Sequence, residues 1–404
     1  MNILMITQMY PQPDDVGDNS ITPVVRYFAR EWVKMGHRVL VAHGASRFPL
    51  PLYLIPPGIK NRVAGATSKI FPSLPSRKTL RREEFGITVR RFPMFKLYPG
   101  FPYSPRAMAA YAEEIARWLA EEEFVPDLVA GHFSNPSAEL TALLSKRYGA
   151  KSSIVFHLDC SEEQIKKYRI RESVAQIKAI GVRSAIEARD VQKRLGLSEP
   201  PFICYSGVPE DAVRSARAVC DKMDFSNGVR YLYVGSFIRR KYLDVVIRAF
   251  LRTAGEKDSL TVIGGGPEDE NLRKLAAELD KNGRIRFLGK VPRERVMEEM
   301  GRAHIFTLVS TFETFGLVYI EAMLQGCLTI ASRGEGFDGL IRDGENGFLC
   351  AAGDQQELES VYKRIGAMTT EERNAVGQAA IEVAKHFSER EVAERYLQDI
   401  LDRQ

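Results

Sequence analysis

Short apolar runs alternate with amphipathic stretches along almost the whole chain, and they do so in two separate series. The first opens with ILMIT at residues 3–7, a strand in pattern. Thr22 and Pro23 then supply an N-cap and a first helical residue for PVVRYFAREWVKM, Gly36 ends that helix, and RVLVAHG is the next strand. Strand, helix and strand at this spacing predict a right-handed βαβ unit and a parallel sheet. DLVAGH at 127–132, SSIVFH at 152–157, IKAIGV at 177–182 and PFICYSGV at 201–208 extend it. A second series starts at Arg230 with YLYVGS, LDVVIRAFLRTA, SLTVIGGG and DENLRKLAAELD, and runs through IRFLG, RVMEEMGRA, IFTLVS and LTIAS. The fold class is therefore α/β, with two doubly wound domains joined near residues 206–213. Ligands of such sheets bind beyond the C-terminal ends of the strands.

With 404 residues, 45% hydrophobic and 27% charged, the chain has the composition of a globular protein with room for two cores. No apolar run approaches the roughly 20 residues of a membrane-spanning helix. MNILMITQMY lacks a basic leader and reads as a buried first strand. The five cysteines are scattered without CxxC spacing, which points to a reducing, cytoplasmic setting and to neither a disulfide framework nor a metal site.

Charge is concentrated in one place. Residues 47–106 hold twelve Lys or Arg against Glu83 and Glu84, so this segment carries +10 and the remaining chain −5. Its first part, FPLPLYLIPPGI, is broken by prolines, and basic pairs interleaved with Phe and Leu follow it. Apolar wedges beside cations suit an anionic membrane surface. Nothing resembles a groove-reading motif, so nucleic acid is not an expected partner.

The densest stretch is STFETFGLVYIEAMLQGCLTI at residues 310–330. Glu313 and Glu321 stand with seven residues between them, around a Phe-Gly pair. Leu317, Ile320, Met323 and Leu324 recur at helical spacing and Gly326 ends the pattern, so a helix is predicted from Gly316 to Gln325. Glu313 then lies on the preceding loop and Glu321 in the second turn. First-turn amides lack internal partners and suit a phosphate. A carboxylate on either side could hold hydroxyls at both ends of a nucleotide-sugar; the plain alternative is an amphipathic helix with two solvated glutamates.

The whole segment resembles the signature of the family-4 retaining glycosyltransferases, with their Glu-x7-Glu motif. The similarity spans nearly the whole chain and is strongest over residues 235–348. It implies the GT-B fold: two Rossmann-like domains facing a central cleft, with a C-terminal helix crossing back to the first. The boundaries expected are 1–207 plus 388–404 for an acceptor-binding domain, and 208–387 for a nucleotide-sugar-binding domain.

The resemblance also implies roles. Glu321 would bind the ribose. Glu313 would hold the donor sugar with the backbone of Phe315 and Gly316. The Leu317 and Val318 amides would hold phosphates together with Lys241, from VGSFIRRKYLDVVIRAF, where fixed cations stabilise the departing diphosphate. The family's arginine in that loop is Ser236 here, and Arg239 or Arg240 could supply the charge instead. The GGGP turn at 264–267 reads either as part of the nucleotide pocket, with Gly265 and then Val291 near the base, or as a tight structural turn. The acids at 268–270 complement the helix dipole and form no D-x-D metal motif. In the first domain the family's Gly-Gly loop falls at Asn19 and Ser20, with Gly17 two residues earlier and Asp14, Asp15 and Asp18 nearby. His132 matches a sugar-side position, with His157 and Asp159 as weaker candidates.

These features point to a metal-independent transfer of a sugar from a UDP- or GDP-linked donor to a hydroxyl on a glycan or lipid-linked acceptor. No cofactor beyond the substrate is expected. The protein would be cytoplasmic and docked on the inner face of the membrane through residues 47–106. A non-catalytic partner subunit and a nucleotide-sugar epimerase are the alternatives on the same fold.

Overall fold

In the computed structural model, which describes residues 1–11, 22–55, 81–157, 160–216 and 222–404, the two apolar series become two sheets. One unit comprises Met1–Arg183, Ala188–Cys204 and Ala393–Gln404, the other Ser184–Glu187 and Tyr205–Val392.

The first unit is built on β1 (Asn2–Thr7), β2 (Arg38–Arg47), β3 (Arg81–Glu84), β4 (Ile87–Phe95), β5 (Leu128–His132), β6 (Lys151–Val155), β7 (Ala179–Val182) and β8 (Phe202–Ile203). Their order is β3-β4-β2-β1-β5-β6-β7-β8. Every pairing is parallel except β3 on β4. Because β1 and β5 are neighbours while the chain returns to β2 on the other side, the order reverses at β1, and His132 ends β5 at that switch point. β1 and β5 are buried on both faces, as the continuous apolar runs ILMIT and LVAGH require.

The second unit is built on β9 (Arg230–Ser236), β10 (Ser259–Gly265), β11 (Ile285–Gly289), β12 (Ile305–Thr307), β13 (Leu328–Ser332) and β14 (Phe348–Cys350). Their order is β11-β10-β9-β12-β13-β14, all parallel. Here the reversal falls between β9 and β12. The segments leaving those two strands, 236–242 and 308–316, therefore meet at one place.

Three expectations shift. The helix after Thr22 begins at Val24, with Pro23 as N-cap and the Thr22 hydroxyl accepting from the Val24 amide at 3.4 Å. PFICYSGV joins the first sheet only at Phe202–Ile203, while Val208 makes an isolated bridge to Ser388. The larger change concerns the basic segment, of which residues 56–80 lie outside the described part. Its second half enters the first sheet: β3 and β4 form a hairpin turning through Phe85 and Gly86, both at positive φ, and β4 runs beside β2. Ile87, Val89, Phe92 and Met94 are buried there. Arg81 pairs with Glu122, Arg90 with Glu121, and Arg82 donates to the Pro11 carbonyl. Lys96 is buried over the Tyr103 ring. These four cations are thus engaged within the unit.

Candidate active site

The helix Leu317–Leu324 is apolar on nearly every face: Tyr319, Ile320, Ala322, Met323 and Leu324 are buried. Full burial of each large side chain contributes roughly 1.5–3 kcal/mol, which fixes the helix firmly against its sheet. Glu321 is the acid on this apolar helix. The Tyr319 hydroxyl donates to the Leu308 carbonyl at 2.8 Å and ties the helix start to the segment leaving β12. Gly316 is the N-cap at φ 81°, and a Cβ there would stand 2.5 Å from the Tyr319 ring. Only glycine fits both constraints. Leu317 and Val318 open the helix, so their amides have no acceptor within it.

Glu313 sits on the preceding loop. Its carboxylate takes an ion pair from Lys241 and a hydrogen bond from the Ser310 hydroxyl at 3.0 Å. Lys241 closes a 3-10 turn, Arg239–Lys241, just after β9, and is itself buried. The loop is held from a third direction. The Glu313 amide donates to Glu335 at 2.9 Å and the Gly336 amide donates to the Glu313 carbonyl at 3.0 Å. Burial raises the Glu335 carboxyl, and nearby Glu313 pushes it further, while the amides it accepts from oppose the rise. Arg240 donates to the carbonyls of Thr311 and Phe312 at 3.0 and 3.1 Å. Arg239 is 91% exposed, 3.5 Å from Glu268. The exposed Ser236 ends β9, and its carbonyl accepts from Tyr233. Phe315 is buried against Phe337, Tyr205 and Phe387.

Glu321 carries an ion pair of its own: Arg293 Nη2 lies 2.6 Å from Oε1. Burial raises the Glu321 carboxyl, and Arg293 pulls against that rise. Pro292 caps the helix Arg293–Arg302, which follows directly on Val291. A cavity of about 490 Å³ opens beside Arg293, lined also by Asp211, Glu294, Met297, Glu298 and Gln325.

The GGGP turn packs on the strand beside it. A Cβ at Gly264 would fall 1.8 Å from the Gly235 carbonyl oxygen, and the Glu268 amide donates to the Phe237 carbonyl at 3.0 Å. Close packing accounts for Gly264 here. Gly265 lies at the end of β10 with the Lys290 side chain across it.

In the first unit, His132 is fully buried. Its Nδ1 lies 3.1 Å from His157 Nε2, its Nε2 lies 3.3 Å from the Tyr396 hydroxyl, and Phe28 stacks on its ring. Burial first, and Arg183 second, depress it to about 3, so the ring is neutral. Both ring nitrogens are used inside the unit. Gly17, Asn19, Ser20, Asp14, Asp15, Asp18 and Asp159 lie outside the described residues.

The second unit therefore brings together Glu313, Lys241, Ser310, Phe315, Gly316 and the helix start, with Glu321 one turn further along. Sequence reasoning missed Glu335, Ser310, Arg293 and Tyr396. Ser310, three residues before Glu313, was within reach of a local argument; the others act across long stretches of chain.

Residues 224–383 match the family model described as "Glycosyl transferases group 1". A lipopolysaccharide core biosynthesis glycosyltransferase of Rhizobium meliloti, LpsE, is 30% identical over 41% of this chain and 47% of its own. The N-acetyl-alpha-D-glucosaminyl L-malate synthase of Bacillus anthracis is 30% identical over 41% and 43%. The chain thus spans less than half the length of these two relatives. An uncharacterized glycosyltransferase of Methanocaldococcus jannaschii is 24% identical over 78% of this chain and 83% of its own. Anabaena HepE in complex with UDP superposes with a TM-score of 0.69 over 100% of both chains at 16% identity. Sucrose-phosphate synthase from Thermosynechococcus elongatus superposes at 0.67 over 98% and 97% at 17% identity. The chain has the two-domain GT-B fold of these solved structures, and the part of it that resembles the group 1 glycosyl transferases is residues 224–383.

Proposed function

We propose that this protein transfers a sugar from a nucleotide-sugar to a hydroxyl acceptor, with retention of anomeric configuration. The observation that carries the reading is the arrangement around one helix start: Glu313 tied to Lys241 before it, Glu321 within it. Glu321 would accept from the ribose hydroxyls. The open amides of Leu317 and Val318 would receive the diphosphate. Lys241 has three donors and uses one on Glu313, leaving others for the β-phosphate. Glu313, with the Phe315 and Gly316 backbone, would hold the sugar. In the step itself the bond from the anomeric carbon to the β-phosphate oxygen breaks and a bond to the acceptor oxygen forms on the same face. The acceptor proton passes to the departing phosphate. Fixed positive charge at the leaving group lowers that barrier without a divalent metal. Calorimetry with UDP- and GDP-sugars tests the reading, UDP first because HepE is described with UDP. Binding that Glu321→Ala abolishes supports it; no binding of any nucleotide-sugar overturns it.

The acceptor on this reading is lipid-linked and met at an anionic membrane surface. Leu50, Leu54, Phe95, Leu97 and Tyr98, all within residues 47–106, are 49–77% exposed. No helix among the described residues is long and apolar enough to cross a membrane, so this contact would be peripheral.

A further inference from the structure

We infer that Arg293 is a positioning residue for the nucleoside: it pins one oxygen of Glu321 and leaves the other turned to the ribose. The inference rests on the ribose-binding role proposed for Glu321 and names the residue that makes that role workable.

Glu321 stands on a helix whose neighbouring residues are buried, and its own side chain is only 16% exposed. A carboxylate in such a place has lost most of its water and needs a fixed partner to stay charged. Arg293 supplies it, with Nη2 2.6 Å from Oε1. A carboxylate can accept about four hydrogen bonds, so a contact at Oε1 leaves capacity at Oε2. The donor stands on a rigid support, because Arg293 is the first residue of its helix and follows Pro292, whose ring fixes the turn. Val291 lies two residues earlier, so the same short segment would reach the base and the acid that reads the ribose.

Among the described residues, the other cations on the elements packed against this helix are engaged elsewhere. Of the helices packed on it, Glu210–Arg214 pairs Arg214 with Glu210. In Arg293–Arg302, Arg295 pairs with Glu298 and Glu299, and Arg302 also with Glu299. In Thr370–Lys385, Arg373 donates to the Met223 and Met368 carbonyls and Lys385 pairs with Glu382. Glu371 and Glu372 lie in the first turn of that helix. Asp211, Glu294 and Glu298 line the adjoining cavity and add only negative charge. Lys222 is bound to the Met300 and Gln325 carbonyls. Strand β13 carries no charged residue. Arg293 is accordingly what opposes the rise that burial imposes on Glu321. Without it, Glu321 would take up a proton at higher pH and offer the ribose one acceptor fewer.

The test is calorimetry of the full chain with UDP-glucose and GDP-mannose, from about pH 8 down to about pH 5.5. Neither diphosphate diester titrates in this range, so the protein alone sets the pH dependence. Arg293→Gln should bind nearly as wild type at the upper end and about tenfold more weakly at the lower end, where a protonated Glu321 gives up a charge-assisted bond to the ribose. Arg293→Lys should restore the flat profile. A profile for Arg293→Gln parallel to wild type at every pH overturns the inference while leaving the proposed function intact. A loss that is equal at every pH and unrelieved by lysine marks Arg293 as structural and also overturns it. Wild-type protein that binds neither ligand would remove the proposed function and this inference together.

Discussion

Lys241 and Glu313 form an ion pair across 72 residues of sequence, their side chains 10% and 13% exposed. The pair exists because the sheet order reverses between β9 and β12, so that the segments leaving those strands converge. Removing one partner strands the other. Lys241→Ala should destabilise the protein by about 3 kcal/mol, by leaving a largely buried carboxylate without its cation. Turnover should fall by a factor of about 10²–10³, the usual loss when a fixed donor to developing charge is removed. Adding Glu313→Gln to Lys241→Ala should recover the thermal midpoint and leave turnover low. Recovery of both would show that the pair is purely structural.

Gly316→Ala places a methyl 2.5 Å from the Tyr319 ring at a residue with φ 81°. Strain of that kind costs of order 1–3 kcal/mol. A shift of the ring to relieve it would disturb its bond to the Leu308 carbonyl. The expected outcome is a lower melting temperature together with weaker nucleotide-sugar binding, since the helix start itself moves. Unchanged affinity by calorimetry would separate the glycine from the ligand site.

From sequence, Arg239 or Arg240 could supply the cation that Ser236 does not, with Arg240 the one placed in the site. In the structure Arg240 holds the Thr311 and Phe312 carbonyls, while Arg239 is 91% exposed. Arg240→Ala should therefore loosen the loop that carries Glu313 and reduce turnover by about tenfold, as misplacement near a reacting centre does. Arg239→Ala should change it less than about twofold. The reverse ranking in steady-state assays would assign the phosphate-facing charge to Arg239.

Locally patterned features were legible in the sequence. The period of Leu317, Ile320, Met323 and Leu324 predicted the helix to within a residue at either end, because a cap and a glycine punctuate it. The strands around 128–132 and 230–236 were equally plain, being apolar runs between turns. The strand Ile87–Phe95 was not, because its inward residues alternate with Arg90, Arg91 and Pro93 and the charges drew attention outward. Contacts between distant segments left no local trace. Glu335 reaches Glu313 and Arg293 reaches Glu321 only once the chain has passed through an intervening strand and helix, beyond the range of any local pattern.

Burial depresses His43 to about 4 and His132 to about 3, and holds His157 well below its ordinary value. The unfolded chain binds protons at these positions from about pH 6.5 downward while the folded chain does not. Stability is therefore fully present above that pH and falls as the pH drops toward 4, by about 1.4 kcal/mol per unit for each such histidine. Melting curves at pH 7, 6, 5 and 4 should show a steepening loss, and His43→Gln with His132→Gln should flatten it. A midpoint independent of pH across this range would contradict the neutral, buried assignment.

Membrane contact gives the last test. Arg81, Arg82, Arg90 and Lys96 are engaged inside the first unit, so reversing them would damage the fold as much as any docking surface. The exposed apolar residues make the cleaner probe. Leu54 is 77% exposed and Phe95, Leu97 and Tyr98 are 49–54% exposed, so polar substitutions there should cost little stability. Wild-type protein should sediment with vesicles containing phosphatidylserine at low salt and be released as salt screens the charges, since the Debye length falls to about 8 Å at physiological ionic strength. Leu54→Ser with Leu97→Ser should weaken sedimentation by about tenfold, through lost insertion of apolar side chains, while nucleotide-sugar affinity stays as in wild type. Salt-insensitive failure of the wild-type protein to sediment would favour an acceptor met in solution, leaving Glu313, Lys241 and Glu321 in the roles proposed for them.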